Sequence, residues 1–233
     1  ICISYVLLPQ LIPILSVVRF KKYIKKIVSL GFVPYLTSAL SQFNSQLGRW
    51  LITFSLGTFI LGKTFLPTLF VVLVSVFPGA ISNLFFPKII EKYERNDRTH
   101  LGTVIKRQYL IVGIYCLLVT LVTLLLSDTI INIFLPKHSE SVVLVYAILP
   151  SLIFVNLSVP AVSLFNAAKK FNYILTGGVI SVLSYGLLLS IYLYVSKPQL
   201  VFFFIIESIS TFISFLYNSY HFLKLNKSLS YVK

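Results

Sequence analysis

Apolar stretches long enough to form membrane-crossing helices repeat along the chain and are separated by short polar or basic breaks. A helix needs roughly 20 apolar residues to cross about 30 Å of hydrocarbon. We place six full spans at residues 30–53, 64–87, 108–126, 142–165, 173–195 and 199–220. The pattern therefore predicts an all-α protein, a polytopic membrane helix bundle.

The opening stretch from Ile1 to Val18 is also apolar, although Pro9 and Pro13 would kink a helix there. The sequence contains no Met, and no basic region precedes this stretch as it would in a signal peptide. We therefore expect a fragment whose first residues end a partial, upstream helix. The expected units are 1–28, the end of that helix and a cytoplasmic basic linker; 29–222, a six-helix bundle; and 223–233, a cytoplasmic tail.

The composition agrees with a membrane protein, since 57% of residues are hydrophobic and only 11% are charged. In ordinary soluble domains about a quarter of the residues are charged. Cys2 and Cys116 both lie in apolar segments, so no disulfide or metal framework is indicated.

The formal net charge of +14 raises the question of a nucleic-acid partner, which the distribution of the charge answers. Counted by alternate loops, sixteen basic residues fall on one side of the predicted bundle and three on the other. This asymmetry is what the positive-inside rule predicts, with the basic loops and the C-terminus in the cytoplasm. We expect contacts with anionic membrane lipids and no nucleic acid. The three residues on the outer side are Lys63, Lys137 and Lys197.

Two connections between spans are longer than the others. The inner one, from Lys88 to Gln108, mixes acids with bases and is expected to be a solvated connector or, alternatively, an amphipathic surface segment. The outer one, from Ser127 to Ser141, is semi-apolar and is expected to lie on the outer face of the membrane. Neither has the pattern of a folded extramembrane domain.

The first full span carries a row of polar residues. Ser38, Gln42, Ser45 and Arg49 are spaced by four, three and four residues, which places them on one face of a helix. An Arg facing lipid at the bilayer centre costs roughly 2.5 to 3.5 kcal/mol, so the row is expected to face protein or water. The alternative for Arg49 alone is that it reaches the outer headgroups beside Trp50.

The last span repeats the spacing. Glu207 is followed by Thr211, Ser214 and Asn218 at intervals of four, three and four. An intramembrane carboxylate suggests a proton or cation site, or a partner for a buried base. A protonated carboxyl that bonds a neighbouring helix is the alternative.

Other small and polar positions favour helix packing. Gly177, Ser181 and Ser184 are predicted to form a close-packing face on the fifth span, while Asn83 and Asn156 are expected to join helices rather than to bind ligands.

Two polar-lined helices in an apolar bundle indicate a hydrated cavity and hence a secondary transporter. No G-x-x-x-x-G-K-[ST] loop is present, so ATP is not expected to drive transport, and no cofactor or metal is expected. A membrane enzyme needs clustered His, Asp or Glu, whereas His100, His138 and His221 are scattered, so we predict no enzyme. A non-catalytic assembly subunit would not need matching polar rows.

Three stretches carry a family resemblance: GFVPYLTSALSQFNSQLGRWLITFSLGTFILGKTFLPTLF, ISNLFFPKI and ILPSLIFVNLSVPAVSLFNAAKKFNY. Their prolines, small residues and basic residues resemble the C-terminal half of the Wzx-like polysaccharide flippases, including the O-antigen transporters, of the multidrug/oligosaccharidyl-lipid/polysaccharide exporter superfamily. The sequence departs from the family pattern at Gly48, where an acid often precedes the arginine, and at Lys63, where an aromatic often follows the glycine. An ion pair of Arg49 with its neighbour is therefore not expected.

The resemblance implies a twelve-helix transporter of two bundles in the bacterial cytoplasmic membrane, of which this chain is the second bundle and a missing N-terminal bundle the partner. Its substrate would be an undecaprenyl-diphosphate-linked oligosaccharide for surface polysaccharide biosynthesis. On that basis Arg49 is expected to bind the anionic headgroup, Glu207 to couple transport to an ion, and the remaining polar residues to bind sugar hydroxyls. An ion-coupled multidrug exporter of the same superfamily is the alternative. The sugar-binding candidates are Ser38, Gln42, Asn44 and Ser45.

Overall fold

A computed structural model describes residues 17–134 and 136–231, and in that part of the chain every regular element is a helix. The predicted all-α class is confirmed for these residues, while the opening stretch up to residue 16 lies outside them. The helices are α1 (Val17–Leu56), α2 (Thr58–Gly62), α3 (Phe65–Glu94), α4 (Arg98–Phe134), a 3-10 segment (Pro136–Ser141), α5 (Val142–Ala167), α6 (Phe171–Val195) and α7 (Leu200–Tyr231).

Within residues 17–134 and 136–231, five helical segments are long and apolar enough to cross a membrane. They correspond to the last five predicted spans and extend beyond most of the predicted ends. The segments are Thr58–Glu94, Arg98–Ile133, Ser139–Ala167, Phe171–Val195 and Leu200–Lys227. These helices make the chain a candidate multi-pass membrane protein. Helix α1 has the necessary length, but its polar positions keep it below the hydropathy of the other five.

Helix α1 joins the predicted basic linker to the predicted first span in one continuous 40-residue helix. No proline or glycine lies between Val17 and Leu30 to break it. The helix ends before Gly57, whose φ of 88° lies in the left-handed region that glycine adopts without a Cβ clash. The same continuity holds at the other terminus, where α7 runs through most of the predicted tail to Tyr231.

The long inner connection is almost wholly helical, because α3 and α4 extend through it and no separate surface segment lies between them. No glycine or proline interrupts the chain from Lys88 to Glu94, and α3 therefore continues past the predicted end of its span. A tight turn follows, in which Asn96 adopts a φ of 54° and Asp97 accepts a hydrogen bond from the backbone N–H of His100 at 3.3 Å. Asp97 thereby caps α4.

The helices form two groups. Helices α1, α6 and α7 meet in an apolar cluster that includes Ile52, Leu189 and Phe203. Helices α3, α4 and α5 meet in a second cluster that includes Ile89 and Leu164. Helix α5 also packs along α7, and so joins the groups.

The two ends of the bundle differ in charge. We call the end with the turns at residues 95–97 and 168–170 the basic end, because Lys88, Lys92, Arg95, Lys169 and Lys170 lie at or near it. The other, called the opposite end, contains α2, the 3-10 segment and the short turn at residues 196–199. There the ammonium of Lys63 lies 2.7 Å from Glu140 and ties α2 to the 3-10 segment.

Candidate functional site

A cavity of about 670 Å³ opens between the two helix groups in the half of the bundle nearer the basic end. We call it the large chamber. Helices α1, α3, α5, α6 and α7 all line it, and most of the lining side chains can form hydrogen bonds. These hydrogen-bonding side chains are Thr37, Asn44, Ser82, Asn83, Ser158, Ser163, Asn166, Ser181, Thr211, Ser214 and Asn218.

Hydrogen bonds between helices hold parts of this wall in place. Ser214 donates to the backbone carbonyl of Gly177 at 2.9 Å and so links α7 to α6. The Asn44 amide donates to the Ser181 hydroxyl at 3.4 Å and links α1 to α6. The polar wall is therefore also part of the contact between the helices.

A second cavity, of about 130 Å³, lies nearer the opposite end. We call it the small chamber. Arg49 of α1, Tyr185 of α6 and Glu207 of α7 line it together with Thr64 at the start of α3. Asn44 lines both cavities and is the residue shared by their described linings. The two chambers thus lie one above the other along the bundle with Asn44 between them.

The small chamber brings the two charged candidates together without joining them. In the part of the chain that the structure describes, no ion pair links Arg49 to Glu207; the ion pairs there involve Glu91, Asp97 and Glu140 instead. The Arg49 side chain is exposed on the bundle surface beside the cavity, and Glu207 is half-buried. This geometry leaves space between opposite charges for water or for part of a ligand.

The predicted polar row on α1 does not face the chambers as a unit. Arg49 lines the small chamber and Asn44 lines both, whereas Ser38 and Gln42 are exposed and belong to neither lining. The Ser38 hydroxyl donates to the carbonyl of Pro34 at 3.1 Å. The side chain of Ser45 is outside the described part of the structure.

The predicted polar row on α7 does face the chambers. Glu207 lines the small chamber, and Thr211, Ser214 and Asn218 line the large one. The spacing of four, three and four residues therefore identified the inward face of this helix.

Sequence reasoning missed most of the chamber wall contributed by α3 and α5. Asn83 lines the large chamber rather than merely joining helices, and Ser82 and Asn166 line it as well. On α3 the signal was present, because Gly79, Ser82, Asn83 and Phe86 recur at helical spacing. On α5 the polar lining residues are interspersed with valines, which obscures the pattern.

The predicted close packing along α6 is confirmed at two of its three positions, since Gly177 and Ser181 are buried. A Cβ placed on Gly177 would lie only 2.8 Å from Oδ1 of Asn218. The absence of a side chain at position 177 therefore allows Asn218 to sit against α6.

The described residues offer little for metal or acid–base chemistry. No group of three or more His, Cys, Asp or Glu among them is placed to hold a metal ion. His100 contacts Asp97 at the basic end, and the His221 ring stacks on Tyr173 with 4.5 Å between centroids. Neither histidine lines a chamber.

The chain significantly matches no protein-family model, no curated protein and no solved structure.

Proposed function

We propose that the protein is a flippase that moves a lipid-linked oligosaccharide across the bacterial cytoplasmic membrane by alternating access. The main support is that Arg49 and Glu207, on two different helices, line one small chamber that adjoins a large polar chamber through Asn44. An apolar bundle has no packing reason to keep such cavities, whereas a transporter needs a polar route for the part of its substrate that cannot enter lipid.

In this proposal the basic end faces the cytoplasm, as the charge asymmetry favours. The large chamber, nearer that end, receives the oligosaccharide. Arg49 binds the diphosphate as it passes the small chamber, because a guanidinium donates two parallel hydrogen bonds to phosphate oxygens. Glu207 couples the cycle to a proton or cation.

The exposed polar residues of α1 fit the same proposal. Ser38 and Gln42 lie on the surface of this bundle and line neither chamber, and polar side chains of this kind are common where membrane helices pack against one another. We propose that α1 crosses the membrane as a sixth span and turns this surface toward a second, N-terminal bundle of the same protein.

The test is flipping of a lipid-linked oligosaccharide by the full-length protein in proteoliposomes. Arg49→Ala and Glu207→Gln are expected to lower the flipping rate at least about tenfold, which corresponds to about 1.4 kcal/mol. Arg107→Ala and Glu94→Gln are the matched controls, because both native side chains are exposed and line neither chamber. No flipping by the wild-type protein would contradict the proposal, and wild-type flipping by both chamber variants would contradict the roles given to Arg49 and Glu207.

A further inference from the structure

Many side chains in the wall of the large chamber can form hydrogen bonds, and none of the described ones is charged. Among the described residues that line it there is no Lys, Arg, His, Asp or Glu. Its volume of about 670 Å³ lies within the range of about 300–1,000 Å³ that is usual for small-molecule sites. A phosphate group would lack a basic partner here, and an organic cation would lack a carboxylate.

The hydroxyl groups of the wall are arranged mainly as acceptors. Thr37 donates its proton to the carbonyl of Val33 at 2.8 Å, and Ser158 donates to that of Phe154 at 2.9 Å. Ser214 likewise donates to a backbone carbonyl, that of Gly177. A hydroxyl whose proton is already used still has an oxygen that accepts. These side chains therefore favour a ligand that brings its own O–H donors.

Asn218 adds to the wall a hydrogen-bond acceptor that no protein group uses. The residue is only 8% exposed, it lines the large chamber, and its Oδ1 is buried without a hydrogen-bond partner. Buried amide oxygens in proteins almost always have a partner. Oδ1 lies against Gly177 of α6, and a ligand hydroxyl reaches it once the amide turns toward the chamber.

From these observations we infer that the large chamber is a binding site for an uncharged, hydroxyl-rich group, that is, for neutral sugar residues. Asn83 and Asn218 provide its amide contacts, and the charged groups of the substrate are bound elsewhere. That these sugars belong to a lipid-linked substrate depends on the proposed function. The preference of the chamber for uncharged hydroxyl donors depends only on its own lining.

The test is isothermal titration calorimetry of the full-length protein in nanodiscs. The ligands are a panel of uncharged trisaccharides, inorganic pyrophosphate as an anion and tetraphenylphosphonium as an organic cation. At least one trisaccharide is expected to bind, and Asn83→Leu and Asn218→Leu are expected to weaken its binding at least about tenfold, since each removes an amide contact. Asn132→Leu makes the same change on the exposed surface of α4 and is expected to leave binding unchanged. Asn83 is exposed in the free protein, so Asn83→Leu is informative even if Asn218→Leu fails to fold.

Three results would overturn the inference: no binding by any trisaccharide, trisaccharide binding that survives Asn83→Leu, and tetraphenylphosphonium or pyrophosphate binding that Asn83→Leu abolishes. A flipping assay on the same preparations separates this inference from the proposed function. Normal flipping by Asn83→Leu together with unchanged trisaccharide binding would overturn the chamber assignment and leave the flippase standing. Trisaccharide binding as expected, combined with normal flipping by Arg49→Ala and Glu207→Gln, would support the chamber and contradict the flippase mechanism.

Discussion

Arg49 of α1 and Glu207 of α7 line the same cavity of about 130 Å³, and no ion pair joins them. Opposite charges on different helices of an apolar bundle attract each other strongly when water is excluded. Their separation by an open cavity leaves each charge available to a mobile partner, such as a substrate phosphate for Arg49 and a proton or cation for Glu207.

If the two side chains act on one transport step through the small chamber, their substitutions will not be additive. We predict that the double variant Arg49→Ala, Glu207→Gln flips no more slowly than the slower single variant, because residues that share a site show coupling energies of about 0.5–3 kcal/mol. The measurement is the flipping rate of the wild type, the two single variants and the double variant, which together form a double-mutant cycle. A parallel cycle of Arg49→Ala with Glu94→Gln is expected to be additive, and additivity in both cycles would argue against a shared step.

Gly177 is predicted to be the most sensitive glycine of α6. In Gly177→Ala the new Cβ would lie 2.8 Å from Oδ1 of Asn218, so the amide has to move. Overpacking of this kind costs about 1–3 kcal/mol. The measurement is the free energy of unfolding, together with trisaccharide binding, which is also expected to weaken.

Gly186→Ala is the matched control on the same helix, because nothing lies within 4 Å of a Cβ there. It is expected to leave binding unchanged and to stabilise the helix by about 0.5–1 kcal/mol. Equal effects of the two substitutions would rule out the specific contact between Gly177 and Asn218 as the cause.

A carboxylate placed in the neutral chamber is predicted to change its ligand preference. Asn83→Asp adds a negative charge to a lining that has no charge among its described residues. We expect tetraphenylphosphonium binding to appear or to strengthen at least about tenfold, or about 1.4 kcal/mol, and trisaccharide binding to weaken. The measurement is the same titration, with Asn132→Asp as the exposed control. A variant that binds the cation no better than Asn132→Asp would indicate that position 83 does not face the ligand.

The cap of α4 is predicted to make stability depend on pH. A hydrogen bond from the His100 side chain holds the pKa of Asp97 below its usual value near 3.8, and contacts with the His100 backbone and Lys92 act in the same direction. Since the folded-state pKa is lowered, this stabilisation is complete above the usual value and is lost as the pH falls through the lowered one.

Asp97→Ala is therefore expected to melt at a lower temperature than the wild type at neutral pH and at nearly the same temperature under strongly acidic conditions. Asp97→Asn is expected to lie between them, because its amide oxygen still accepts from the His100 N–H. Thermal melts over a pH series provide the measurement. A difference between Asp97→Ala and wild type that stays constant into strong acid would show that the charge of Asp97 is not responsible.

The length of the apolar stretches was sufficient to predict the five long apolar helices found among the described residues. A chain that crosses lipid has to pair its backbone groups internally, as a helix does, and its side chains have to be apolar over the whole crossing. The length of the apolar stretches did not predict where the helices end. Helix α3 extends past Lys88 because helix formation does not stop at the hydrocarbon boundary when no glycine or proline intervenes.

The inward face of α7 was predictable because Glu207, Thr211, Ser214 and Asn218 repeat at helical spacing. Helix α1 is different, since its polar residues cover more than one face and the periodicity does not select between them. Packing makes the choice: Leu40 lies against Gly178, and Gly48 lies beside the hydroxyl of Tyr185. These contacts turn Asn44 toward the chambers and leave Ser38 and Gln42 on the surface. A single sequence does not reveal which partner a helix selects.

Thiol labelling distinguishes a polar row of α7 that faces a water-filled passage from one that faces lipid or packed protein. In full-length protein without Cys2 and Cys116, the pair to compare is Thr211→Cys, which lines the large chamber, and Leu216→Cys, which replaces a side chain that is 50% exposed on the outer surface of the same helix. We predict that a charged, water-soluble methanethiosulfonate reacts at least about tenfold faster with Thr211→Cys, because only a hydrated thiol ionises readily to the reactive thiolate. Equal rates, or faster labelling of Leu216→Cys, would show that Thr211 does not face water.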